Sequence, residues 1–122
     1  MARLTLFAFA LAAWPALAQD NLPPLACEGD TPDWQLGLYE ETAQFNYNGK
    51  ALDMTVPQIT HAESADFPKA LTLLAARDTA IVILNKRRCD SDFVTAFPFE
   101  VNILTQKGET PVILTGCCTV AE

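Results

Sequence analysis

The sequence predicts an all-β fold: a small antiparallel barrel or sandwich of about seven or eight short strands, with two disulfides. Apolar and polar residues alternate over short segments between residues 34 and 120. Turn pairs such as Asn48-Gly49 and Lys107-Gly108 separate these segments, and none of them shows a convincing helical period. The chain also contains four cysteines, which provide the two cross-links.

The first eighteen residues have the pattern of a signal peptide. Arg3 supplies a positive start, residues 4–13 are almost entirely apolar, and residues 16–18 (Ala-Leu-Ala) provide small side chains before Gln19. The apolar run is shorter than the roughly 20 residues that span a bilayer. We therefore expect cleavage between Ala18 and Gln19, export to the periplasm or the medium, and no transmembrane segment afterwards.

The remaining chain is long enough for one domain. Residues 19–26 are polar and contain two prolines, which predicts a flexible lead, and residues 27–122 are predicted to form a single β-domain. The formal net charge is −7, and removal of Arg3 with the signal makes it one unit more negative. This charge argues against nucleic acid as a partner and favours a basic protein or a cation.

The first half of the domain alternates turns and strands. Residues 28–33 contain Gly29 and Pro32 among acidic residues, which indicates a loop. Strands are predicted over residues 34–39, 42–47 and 52–56, with Pro57 ending the third. Asn48-Gly49 lies between the second and third strands and is a strong signal for a type I′ hairpin, because both central residues of that turn need positive φ.

The second half is clear except in its first part. Residues 58–66 are polar and carry no assignment, and the apolar residues of segment 70–77 fit either a helix or a strand. We favour a strand, because Asp78-Thr79 resembles a turn into the next one. Further strands are predicted over residues 80–84, 97–104 and 112–120, and residues 86–92 form a loop that begins with a basic run.

The cysteines are expected to form two disulfides in an oxidising compartment. Four cysteines allow three pairings, and a bond between the neighbours Cys117 and Cys118 would strain the peptide. Neighbours in a strand point to opposite faces, so these two residues should serve different partners. We favour Cys89–Cys117 with Cys27–Cys118, and the swapped pairing remains the alternative.

Several motifs carry a family resemblance. The chain contains Gly29-Asp30-Thr31-Pro32-Asp33-Trp34, Cys89-Asp90-Ser91-Asp92-Phe93, Phe97-Pro98 and Gly116-Cys117-Cys118. In this it resembles a family of uncharacterised small exported proteins and lipoproteins of Gram-negative bacteria, whose members carry Gly-x-Glu-Pro-x-Trp, Cys-Ser-Asp-Gly-Met-Ser, Tyr-Pro and a terminal Gly-Cys. No Gly-Met-Ser follows the acidic residues here. That family is remotely similar to the small β-barrel inhibitors of c-type lysozyme, which implies a barrel and an inhibitory role.

The sequence contains few candidates for chemistry. His61 is the single histidine, and it lies in a polar stretch without a nucleophile motif, so we predict no catalytic residue and no cofactor. Carboxylates spaced two apart can bind a hard cation when a loop curls around it. The candidate cation ligands, which lie in two acidic segments, are Glu28, Asp30, Asp33, Asp90 and Asp92.

We therefore expect a non-enzymatic exported protein that binds a macromolecule or supports the envelope. An inhibitor of a basic cell-wall hydrolase is one version of this hypothesis. The alternatives are a calcium- or metal-binding domain built on the acidic loops, and a hydrolase that uses the same carboxylates as an acid/base pair. The ligand and the oligomeric state are not specified by any motif.

Overall fold

The computed structural model of the chain describes residues 22–90 and 96–121, and these residues form eight strands and no helix. The strands are β1 (Leu25–Asp30), β2 (Asp33–Tyr39), β3 (Thr42–Tyr47), β4 (Lys50–His61), β5 (Lys69–Leu74), β6 (Thr79–Asn85), β7 (Phe99–Lys107) and β8 (Thr110–Val120). The all-β prediction is confirmed.

The strands close into an antiparallel barrel. Each strand pairs with the next along the chain, and β1 pairs with β8 from Leu25 opposite Val120 to Glu28 opposite Cys117. The connections after β1, β3, β5 and β7 therefore lie at one end of the barrel, and both termini lie at the other. Closure leaves no strand edge unpaired around the ring.

Apolar side chains from every strand fill the interior. The largest fully buried ones include Leu25, Leu36, Leu71, Leu73, Leu84, Ile103 and Leu114. Packing of this kind is expected for an eight-stranded barrel, whose interior is just wide enough to be filled by side chains. Lys69 is buried at one end, with its ammonium group 5.0 Å from the centre of the Phe67 ring. The interior is thus a packed core, and functional groups must be sought on the outside.

Trp34 closes the seam between β1 and β8. Its side chain is 2% exposed, and its indole N–H donates a hydrogen bond to the Thr115 carbonyl at 3.2 Å. The ring lies directly against Gly29 of β1 and Gly116 of β8. These two positions and the tryptophan belong to the motifs that carry the family resemblance, and here they share a structural role.

The two disulfides have the favoured connectivity. Cys27 bonds Cys118 across the β1–β8 seam, and Cys89 bonds Cys117, so none of the four cysteines is free. Cys118 belongs to the core cluster, whereas Cys117 points outward and is covered by the segment that contains Cys89. The predicted placement of two neighbouring cysteines on opposite faces of one strand is confirmed. Two such bonds indicate an oxidising compartment outside the cytoplasm.

Two predicted boundaries differ from the structure. Glu28, Asp30 and Asp33 were expected in a loop but lie in β1 and β2, and β1 begins at Leu25, inside the predicted lead. The sequence predicted that Pro57 ends this strand, but β4 continues through Pro57 to His61. The pairing of β4 with β5 shifts register between Thr55 and Gln58. An irregularity at this point removes the proline, which has no N–H to donate, from the hydrogen-bonded ladder.

Other local predictions are confirmed. The ambiguous segment contains β5, and Asn48 and Gly49 have φ values of 56° and 76°, as a type I′ turn requires. The predicted signal peptide, residues 1–18, lies outside the described residues. In the part of the chain that the structure describes, no helix has the length and apolar character needed to cross a membrane.

Candidate functional site

A polar groove of about 300 Å³ lies on the outside of the barrel where β1 diverges from β8. Asp30 lines it from the first hairpin and Asp90 from the connection between β6 and β7. Glu100 and Asn102 contribute from β7, and Thr115 contributes from β8. The Cys89–Cys117 disulfide fixes the β6–β7 connection over this face, so two acidic segments far apart in sequence share one groove.

Asp90 is engaged within its own loop. Its carboxylate accepts a hydrogen bond from the backbone N–H of Ala96 and pairs with the Arg88 guanidinium at 3.2 Å. The Ala96 N–H, with Arg88, holds the pKa of Asp90 below its ordinary value of 3.8. The carboxylate thus contacts the far end of its own loop while its side chain remains exposed.

This arrangement predicts that the contact between Asp90 and the Ala96 N–H is lost only in acid. The pKa of Asp90 is lower in the folded protein than in the unfolded chain. Its ionised form therefore stabilises the folded state above pH 3.8, and this stabilisation is lost as the pH falls through the lower, folded pKa. We expect the Ala96 amide resonance, followed by NMR from about pH 7 to pH 2, to move with a midpoint below 3.8. The step should be absent in Asp90→Asn. A midpoint of the Ala96 shift at or above pH 3.8 would contradict the hydrogen bond between Ala96 and Asp90.

The basic run also pairs with a second carboxylate of the groove. Arg87 pairs with Glu100 at 3.4 Å, in addition to the pair between Arg88 and Asp90. The sequence predicted only that a loop begins with this basic run. The signal for the groove was present in the favoured Cys89–Cys117 bond, which requires the residues just before Cys89 to lie over β7 and β8.

The cation-site hypothesis receives little support from this geometry. A divalent ion would compete with Arg88 for Asp90, and Glu28 and Asp33 do not line the groove. Within residues 22–90 and 96–121, no group of three or more His, Cys, Asp or Glu side chains is arranged to hold a metal ion. Asp92, the fifth candidate ligand, lies outside the described residues.

His61 has a local structural role. It is exposed at the end of β4, and its Nδ1 lies 2.7 Å from the Ala62 carbonyl and 3.1 Å from the Ala65 carbonyl. A protonated Nδ1 donates to these acceptors and so braces the turn between β4 and β5. His61 is therefore a surface residue that contacts the turn beside it.

The first hairpin presents a different kind of surface. Glu28, Asp30 and Asp33 point outward from β1 and β2, and Asp30 and Asp33 face each other across the hairpin. Among the described residues, the ion pairs involve other carboxylates, so these three are not neutralised by a cationic side chain. We refer to Glu28, Asp30 and Asp33 as the acidic hairpin.

The groove and the acidic hairpin therefore differ in the charge that they offer to a partner. Asp90 and Glu100 in the groove each lie against an arginine, whereas no ion pair among the described residues involves the hairpin carboxylates, including Asp30, which lines the same groove. A cationic surface would bind more favourably at the hairpin, where no ion pair among the described residues has to be broken first.

No family model, curated protein or solved structure matches this chain.

Proposed function

We propose that this protein is an exported binding protein, directed to the periplasm or the medium by its signal sequence, that engages a basic protein through the acidic hairpin. The three unneutralised carboxylates on one hairpin are the observation that carries the proposal. The packed barrel interior supports it indirectly, because side chains occupy the space that an enclosed ligand would need.

Electrostatics supports a basic partner over a neutral one. The net charge of −7 produces an attractive field for a cationic protein, and the acidic hairpin concentrates part of that charge on one surface. Such charges mainly raise the association rate and select among partners. Binding of this kind weakens with salt, since the Debye length falls to about 8 Å at physiological ionic strength.

An inhibitor of a basic cell-wall hydrolase is the specific version that we propose. Disulfide-containing exported proteins and cell-wall hydrolases share the same extracytoplasmic space. A lysozyme with a basic surface carries positive charge, which would attract the carboxylates of the acidic hairpin. The rigid, cross-linked barrel would present the hairpin in one conformation, which reduces the entropy lost on binding.

The test is a cell-wall lysis assay with increasing amounts of the purified, oxidised protein. At about 50 mM salt we expect inhibition at micromolar concentration, and we expect Glu28→Gln/Asp30→Asn/Asp33→Asn to weaken it by about tenfold or more. The matched control, Glu40→Gln/Glu41→Gln/Glu109→Gln, removes the same charge from other turns and should change inhibition less than about threefold.

Two results would separate the parts of this proposal. Absence of inhibition by the unmodified protein would reject the hydrolase-inhibitor version, and binding to other basic proteins could then be measured directly by calorimetry. Equal weakening by both triple variants would reject the acidic hairpin as the binding surface. It would instead indicate that only the net charge matters.

A further inference from the structure

An uncharged face covers the side of the barrel formed by β5 to β8. Three outward positions on each strand define it: Ala70, Thr72 and Leu74 on β5; Thr79, Ile81 and Ile83 on β6; Asn102, Leu104 and Gln106 on β7; Pro111, Ile113 and Thr115 on β8. None of these positions, all within the described strands, carries a charge. Four acidic residues point outward from β1 to β4, whereas on β5 to β8 Glu100 points outward at the edge of the face, next to Asn102.

A continuous apolar row crosses the centre of this face. Ile81 of β6 lies directly opposite Leu104 of β7, which lies opposite Ile113 of β8. Their side chains are 36%, 44% and 64% exposed. On β5, Thr72 lies opposite Ile81, and Leu74, which lies opposite Thr79 and diagonal to Ile81, is 40% exposed. Single exposed apolar residues are common, but a contiguous row across adjacent strands marks an interaction surface.

We propose that a second copy of this chain docks on the uncharged face. Two molecules that each carry a net charge of −7 repel one another wherever their acidic surfaces meet. At the centre of the uncharged face two copies can approach with their carboxylates at the margin, where Asn102 and Thr115 also line the groove that contains Asp30, Asp90 and Glu100. A two-fold axis near Leu104 would place the same patch on both sides of the contact, as an isologous dimer requires.

The size of the face sets the strength of the association. Strands lie about 4.8 Å apart and rise about 3.4 Å per residue, so the face measures roughly 15 Å in each direction. A standard interface buries about 800 Å² on each partner, and the convex barrel limits contact to the central strands. We therefore expect a reversible dimer rather than an obligate one. The acidic hairpin, on strands outside this face, stays accessible in it.

The test is the concentration dependence of mass in sedimentation equilibrium, with the oxidised protein between about 1 µM and 1 mM. The average mass should rise from one chain toward two. Added salt should preserve or strengthen association, because it screens the repulsion between two acidic molecules. This response is opposite to that expected for a basic partner on the acidic hairpin, so the two proposals fail separately.

Two variants locate the contact. Leu104→Glu places a charge at the centre of the face, and we expect it to weaken dimerisation at least tenfold. Tyr39→Glu is the matched control, because Tyr39 is 48% exposed but lies on β2, outside the face, and it should leave association unchanged. The uncharged change Ile113→Thr should weaken the dimer without adding repulsion, which separates lost apolar contact from charge.

A concentration series in NMR provides a second readout that does not depend on any variant. The amides of Ile81, Leu104 and Ile113 should shift as the protein is concentrated, whereas those of β2 and β3 should not. A single-chain mass at every concentration would overturn the proposal and leave the face to a different protein. Equal losses in Leu104→Glu and Tyr39→Glu would also overturn it.

Discussion

Replacing Cys27 and Cys118 together by alanine is expected to lower the free energy of unfolding by about 4.6 kcal/mol. This bond closes a loop of 91 residues and joins the first strand of the barrel to the last. In the chain-entropy description, a disulfide stabilises by restricting the unfolded chain, and the restriction grows with loop length. The bond between Cys89 and Cys117 closes 28 residues and should contribute about 3.6 kcal/mol.

Urea unfolding of the two double-alanine variants measures this difference. Alanine is preferred to serine because both Cys27 and Cys118 are buried, and a hydroxyl group there would require a hydrogen-bond partner. We expect a lower midpoint for both variants and the larger loss for Cys27→Ala/Cys118→Ala. A larger loss for Cys89→Ala/Cys117→Ala would show that holding the β6–β7 connection on the barrel matters more than loop length.

The connectivity of the disulfides could be predicted in part from strand geometry. Neighbours in a strand face opposite sides, so Cys117 and Cys118 had to serve separate partners. What alternation could not decide was which of the two faces the interior, since residues on both sides of them are small or polar. The favoured assignment is confirmed by Cys118 in the core and Cys117 beneath Cys89.

The first strand was missed because its signals conflict. Acidic residues, Gly29 and Pro32 all favour a loop, and Leu25 and Cys27, which are separated by the apolar Ala26, give no clear alternation to outweigh them. Pairing with β2 and β8 on both sides stabilises β1 in spite of its composition. The prediction that Pro57 ends its strand was wrong for a related reason. A register shift lets the strand continue past a residue that cannot donate a hydrogen bond to the ladder.

The candidate site was predictable only in part. The sequence pointed to two acidic segments, and one residue from each, Asp30 and Asp90, lines the same groove. The ion pairs of Arg87 with Glu100 and of Arg88 with Asp90 were not foreseen, because they depend on how the β6–β7 connection lies across β7. Those pairs move the candidate binding surface from the groove to the acidic hairpin.

The Gly-Trp and Gly-Cys motifs are explained by close packing at the barrel seam. A Cβ atom at Gly29 would lie 2.2 Å from the Trp34 Nε1, and a Cβ atom at Gly116 would lie 2.1 Å from the Glu28 carbonyl oxygen. Real Cβ contacts are longer, so any larger residue would force the indole or the β1 backbone to move. The two glycines thus allow the tryptophan to fill the interior where β1 and β8 separate.

Trp34→Ala is therefore expected to lower the free energy of unfolding by about 4 kcal/mol, since it opens a large cavity and leaves the Thr115 carbonyl without its donor. Trp34→Phe keeps an aromatic ring but loses the hydrogen bond, and should lower it by about 1 to 2 kcal/mol. Tyr39→Ala, an aromatic-to-alanine change at an exposed site on the same strand, should stay within about 1 kcal/mol of the unmodified protein. Urea unfolding compares all three variants. Similar losses of unfolding free energy for Trp34→Ala and Tyr39→Ala would contradict this prediction. They would show that the seam tolerates a cavity and that packing of the indole against the two glycines adds little stability.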